Sequence, residues 1–136
     1  MMKSTWKCRI ALAGAASALL VVLVGAAIAA APTKNGLYAG TITGKGLTKH
    51  VELHVSANGR RATASLSCEG SLVKSLKSFP ITRAGRFNGH DKRNNFGVKG
   101  RFTSATAAAA RLHMYGICDV AAPVNYVLTL SMSPTQ

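Results

Sequence analysis

The stretch His50–Cys68 reads HVELHVSANGRRATASLSC, and its reading decides the fold. Val51, Leu53 and Val55 alternate with His50, Glu52, His54 and Ser56; Ala62, Ala64 and Leu66 alternate with Arg61, Thr63, Ser65 and Ser67. A period of two is the mark of a half-buried strand. Between the runs lies Asn58-Gly59, the strongest short hairpin signal, because both residues tolerate positive φ. A two-residue turn there sets Val55 opposite Ala62, Leu53 opposite Ala64 and Val51 opposite Leu66. Apolar meets apolar at each pair, so turn chemistry and side-chain pattern agree on one register.

Working outward, a second hairpin repeats the pattern. Phe96, Val98, Gly100 and Phe102 alternate, Thr103–Thr106 turns, and Ala108, Ala110, Leu112 and Met114 alternate. Pairing about Ala105 sets Val98 against Leu112, Phe96 against Met114 and Lys99 against Arg111. The alanine run Ala107–Ala110 favours helix by propensity, but it lies between strand patterns and reads as strand. Further strands are expected over Leu37–Ile42, Phe79–Thr82, Arg86–Asn88 and Val124–Met132. Ser71–Ser78 (SLVKSLKS) reads as one helical turn or an irregular connection. Strands without helical crossovers make an antiparallel meander, so the fold class is all-β, a small barrel or sandwich.

The N-terminus reads as an address. Met1–Arg9 is basic, and residues 10–31 carry no charge and end in small residues. Ala27-Ile28-Ala29 fits the A-x-A cleavage pattern, so residues 1–29 read as a signal peptide with a hydrophobic helix, cut near Ala29 or as late as Ala31. The alternative is an uncleaved membrane anchor, since the apolar run is long enough to span a bilayer. Either reading puts the remainder outside the cytoplasm, secreted or in the cell envelope, because Lys3, Lys7 and Arg9 stay inside. Residues 30–35 form a polar lead-in and 36–136 the β domain. With Cys8 in the signal, Cys68 and Cys118 remain, and two cysteines in an exported domain read as one disulfide.

Gly36-Leu37-Tyr38-Ala39-Gly40-Thr41, Asn58-Gly59-Arg60, Cys68, Gly85-Arg86-Phe87, Gly100-Arg101-Phe102 and Cys118 occur in that order. The chain thereby resembles a loose group of small secreted bacterial β-domains with the pattern G-x-Y-x-G … C … GRF … GxF … C. The resemblance implies a stapled β fold and supplies no catalytic residues. The two GRF triplets read as separate turn-to-strand junctions rather than an internal repeat.

Charge narrows the function. The 136 residues hold 17 Lys plus Arg and 4 Asp plus Glu, a net +13, and only three of the basic residues precede residue 32. So few carboxylates argue against a carboxylate-rich metal site. His50, Glu52 and His54 line one strand face, but about 3.4 Å per residue puts the histidines too far apart to share an ion. Glu69 and Asp119 each follow a cysteine, so the disulfide would bring them together, as a glycosidase-like pair or a weak calcium site. G-x-S-x-G, HExxH and Walker-type loops do not occur. The basic residues carry more: Lys99, Arg101 and Arg111 should share an outward face, extended by Arg86 and by Lys92-Arg93. Phe87, Phe96 and Phe102 read as core, leaving Tyr38 and Tyr115 as candidate exposed rings, too few for nucleobase stacking.

The expectation is therefore an exported binding protein without a cofactor or metal. Its basic face would meet an anionic cell-envelope polymer or lipid headgroup, or a protein. Nucleic acid is disfavoured, and a membrane is a partner only through an uncleaved N-terminal segment. The alternatives are a small secreted hydrolase using Glu69 and Asp119, and a structural envelope protein without a ligand.

Overall fold

The computed structural model describes residues 30–44 and 46–133. The expected signal helix, residues 1–29, lies outside them. Eight antiparallel strands follow in chain order: β1 (Leu37–Ile42), β2 (Lys49–Val55), β3 (Arg61–Cys68), β4 (Ser71–Pro80), β5 (Arg86–His90), β6 (Phe96–Ser104), β7 (Ala107–Met114) and β8 (Val124–Met132). They form one sheet in the order β4-β3-β2-β1-β8-β7-β6-β5. Sequential strands pair throughout except β4 with β5, and β1 closes onto β8. The result is a nearly closed barrel with one seam, which resolves the choice between barrel and sandwich.

Both expected hairpin registers stand. Val55 faces Ala62, Leu53 faces Ala64 and Val51 faces Leu66; Val98 faces Leu112, Phe96 faces Met114 and Lys99 faces Arg111. The first turn differs from expectation in kind. Ser56 O accepts from Gly59 N at 3.0 Å, and Asn58 Oδ1 accepts from Ser56 Oγ at 2.7 Å and Arg60 N at 3.0 Å. Gly59 takes positive φ (74°) but Asn58 does not. The four-residue loop preserves the register because it is centred on the same point in the chain.

Ser71–Ser78 is neither helix nor irregular: it is most of β4. Alternation failed as a signal there because the strand is an edge, with register shifts against β3 and Leu72 and Val73 exposed. Only Leu76 and Phe79 of β4 turn fully into the core. Pro80 suits the edge, where a missing N–H costs no ladder bond. Beyond Pro80, Thr82–Gly85 forms a tight turn and Ile81 bridges Phe87, after which the two strands part. Side chains close the gap. The Phe79 ring lies over Gly89, where a Cβ would fall 2.4 Å from it. Farther along, Lys74 Nζ reaches Asp91 Oδ2 at 3.1 Å.

The interior is solid. Tyr38, Phe102, Phe87 and Phe79 form a chain of ring contacts across it, with centroids 5.0, 5.3 and 6.4 Å apart in turn. Leu53, Leu66, Phe96, Leu112, Met114 and Leu130 fill the remainder. Eight strands enclose a space that side chains can fill, and here they do. Tyr38, expected as a candidate surface ring, is fully buried. Its hydroxyl donates to Ala105 O and accepts from Thr33 N, which draws the lead-in across the barrel end. Tyr115 is exposed as expected.

Candidate functional site

A filled barrel directs attention to its outside. Along β5, β6 and β7 the phenylalanines, Val98, Leu112 and Met114 point inward, so the residues between them point out. They form rungs across the sheet. Arg86 lies opposite Arg101, and Arg101 opposite Ala109. One rung along, Asn88 lies opposite Lys99, Lys99 opposite Arg111, and Arg111 opposite Val127. The next rung is His90, Gly97, His113 and Asn125.

These rungs bound a depression of about 620 Å³, whose lining includes Arg86, Lys99, Arg101, Arg111, Ala109 and Val127. That size suits a small ligand or a segment of a larger one. A second depression, about 380 Å³, shares Asn88, Lys99 and Arg111 with it and runs on past His90 and His113. The four expected cations are thus brought together in one place. Lys92 and Arg93 are not: they are exposed on the β5–β6 turn, outside both linings. The strand register set the first group; nothing in the sequence fixed where the turn would aim its side chains.

The GRF triplets account for part of this geometry. Gly85-Arg86-Phe87 opens β5, whereas Gly100-Arg101-Phe102 lies within β6, so the second is not the turn-to-strand junction expected. They are neighbours in the sheet: Phe102 N donates to Gly85 O at 2.9 Å, the two rings touch inside, and the two arginines face each other outside.

Acids are as telling as bases. The chain has four Asp plus Glu, and none lines either depression. Glu52 contacts His50 at 3.3 Å on the β2 face. Glu69 accepts from Thr48 N at 2.7 Å, and Asp119 from Leu47 N at 3.2 Å. Asp91, the acid closest in sequence to the basic strands, is occupied with the β5–β6 turn. Its Oδ1 accepts from Asn95 N at 2.7 Å and Phe96 N at 3.2 Å, and its Oδ2 takes Lys74. Burial pushes the Asp91 carboxyl up, but these N–H groups and the Lys74 ammonium outweigh it and hold the carboxyl below its usual range. Among the described residues, the charged heads of Arg86, Lys99, Arg101 and Arg111 have no protein partner.

Glu69 and Asp119, the candidate catalytic pair, flank the disulfide. Cys68 and Cys118 are bonded with Cα atoms 5.9 Å apart, within the ordinary range for a disulfide. Both carboxylates serve as acceptors for the chain at 47–48. The sequence reading missed the cation that Asp119 faces. Lys49 is buried, with its Nζ donating to Leu47 O at 2.8 Å, 3.5 Å from Asp119 Oδ1 and 5.8 Å from the Tyr126 ring centre. Continuing the inward set Val51, Leu53, Val55 back by one step would have placed Lys49 inside. A buried ammonium needs a counter-charge, and Lys49 lies opposite Cys68 in the ladder, so the bridge to Cys118 carries Asp119 to it. Among the described residues, no three His, Cys, Asp or Glu side chains converge as a metal site.

No protein-family model matches the chain, and neither a curated protein nor a solved structure does.

Proposed function

We propose that this chain is an exported, non-catalytic binding protein that takes an anionic ligand in the depression on β5–β7. The observation that supports this reading is the placement of charge: four unpartnered cations on two adjoining rungs, with every acid of the chain held elsewhere. Facing like charges on paired strands are destabilising. The arrangement therefore costs stability unless an anion sits between the cations. The partner under this reading is an anionic envelope component, and the domain reaches it after export directed by residues 1–29.

The test is binding of the purified domain to an immobilised anionic polymer across a salt series. Lys99→Gln with Arg111→Gln should weaken binding by at least tenfold at physiological salt. Arg60→Gln with Lys77→Gln removes the same charge from exposed positions elsewhere and should weaken it less than threefold. Wild-type binding should fall steeply as salt shortens the screening length from about 10 Å to about 3 Å. Stability of the Lys99/Arg111 variant should be unchanged or up to about 1 kcal/mol higher. Equal losses from the two double variants would mean that net charge alone drives attachment, and the site would be rejected.

A further inference from the structure

The register of the four cations also specifies how the charges on the ligand should be spaced. Arg86 and Arg101 bracket one position between β5 and β6; Lys99 and Arg111 bracket a second between β6 and β7. Facing residues on antiparallel strands have Cα atoms about 4.5–5.5 Å apart. That separation lets two long side chains converge on one anion. The two brackets are offset by two residues along the strand and one strand across. At about 3.4 Å per residue and 4.8 Å per strand, their centres lie about 8 Å apart on the diagonal.

We infer that the depression binds a linear phosphodiester chain of a polyol, with successive phosphates in the two brackets. This deepens the anion-binding reading and rests on it. An extended chain advances about 3.3–3.6 Å per three bonds, so six or seven bonds cover about 7–8 Å. Six or seven bonds separate neighbouring phosphorus atoms when the bridge is three or four carbons long. Inorganic polyphosphate, with two bonds between phosphorus atoms, packs its charge too closely to address the brackets one at a time. The diagonal between the brackets crosses β6 at Gly100, which has no side chain to obstruct a carbon bridge, and the flanks are small or apolar: Ala109 beside Arg101 on β7, and Val127, 78% exposed, beside Arg111 on β8. The track continues in the same direction to His113 and Asn125, the next rung on β7 and β8, so the chain need not end at the second bracket.

A nucleic acid strand shares the six-bond interval. What it adds is bases, and the depression has no ring to stack them on. The one aromatic residue in its lining, Phe87, is 3% exposed. Stacking supplies much of single-strand affinity at sites built for it, so the polyol is the better fit.

The experiment compares four probes at equal phosphate or carboxylate concentration with the wild-type domain: a glycerol-phosphodiester oligomer, inorganic polyphosphate, a polycarboxylate and a single-stranded oligonucleotide. The glycerol oligomer should bind at least tenfold more tightly than each of the others. A bis(methyl phosphate) of 1,3-propanediol should bind at least tenfold more tightly than that of 1,8-octanediol. Arg86→Gln with Arg101→Gln, or Lys99→Gln with Arg111→Gln, should each abolish the preference for the short bridge. Binding of all probes through this face without a spacing preference would overturn the polyol inference and leave the anion site standing. Tighter binding of the oligonucleotide would replace the polyol with nucleic acid. Binding of any probe that neither double variant weakens would overturn both readings.

Discussion

Replacing Asp91 by Ala should open the barrel seam. The side chain is 15% exposed and carries the β5–β6 turn and the Lys74 contact from β4 at once. Alanine leaves the N–H groups of Asn95 and Phe96 without their acceptor, at about 1–3 kcal/mol for each that stays dry. It also strands a partly buried ammonium. Phe96 N–H is only part-buried and water can reach the turn, so the lower ends apply, and the expected loss is about 3 kcal/mol. Asp91→Asn keeps an oxygen for both amides but gives up the charge. Charge-assisted bonds are roughly twice as strong as neutral ones, so about 1–2 kcal/mol should go.

The pH dependence of that loss is the stricter test. The Asp91 carboxyl titrates below its usual value in the folded barrel. Its ionised form therefore contributes stability above the unfolded pKa of about 3.9, and that contribution is lost as pH falls through the folded value. Urea unfolding of wild type and Asp91→Asn should differ by the full amount at pH 7 and converge toward pH 2. A difference that stays constant from pH 7 to pH 2, or an alanine variant within about 0.5 kcal/mol of wild type, would refute the assignment of Asp91 as the seam's anchor.

Breaking the staple should be costly. The disulfide closes 50 residues, so Cys68→Ser or Cys118→Ser should lower stability by about 4 kcal/mol on the chain-entropy account; labelling of both thiols in the unreduced protein would contradict the bond. At Lys49, Met should fold within about 1.5 kcal/mol of wild type, since it fills the same space and Asp119, 41% exposed, can rehydrate. Lys49→Ala should lose about 2–4 kcal/mol through the cavity it leaves, and a methionine variant as damaged as the alanine one would mean that the ion pair itself holds the barrel end. Protein recovered from outside the producing cell should begin near Ala30 by N-terminal sequencing; a start at Met1 in a membrane-bound product would favour the anchor.

The sequence was most legible where two independent constraints met. Around residue 58 the hydrophobic alternation and the turn residues each dictated the same register, so the pairing survived even though the turn took another form. For Phe96 through Met114 matching alternation on both strands set the register, and with it the Lys99–Arg111 pair; the Arg86–Arg101 pair comes from the β5–β6 register, which the sequence did not specify. Legibility failed where one constraint was missing. Ser71–Ser78 is an edge strand with irregular pairing, and period two has no force where only one neighbour and half a face must be satisfied. Tyr38 reads as a candidate surface ring only by elimination, once Phe87, Phe96 and Phe102 fill the core, and burying it requires a partner for its hydroxyl. The lead-in and the Ala105 carbonyl supply one, and neither contact is local in sequence. Lys49 was hidden by its residue type, since lysine is rarely found inside without a partner. Its partner arrives from 70 residues away through a disulfide.

The distribution of charge shows where local preference and fold disagree. A barrel that only had to fold would gain from placing an acid opposite Lys99 or Arg111, because opposite charges on facing strands attract and like charges repel. The four acids are instead engaged elsewhere: Asp91 at the seam, Glu69 and Asp119 at the 47–49 segment, Glu52 beside His50. The first three accept from backbone N–H groups or sit against a lysine, and none lines the β5–β7 depressions. Local conflict that the rest of a structure does not relieve is where function is to be sought. Here the conflict is confined to two rungs whose cations, among the described residues, have no hydrogen-bond or ion-pair partner. Under the proposed function, an anion entering there would remove the repulsion as it binds, so part of the binding free energy would already be present in the empty domain as facing like charge.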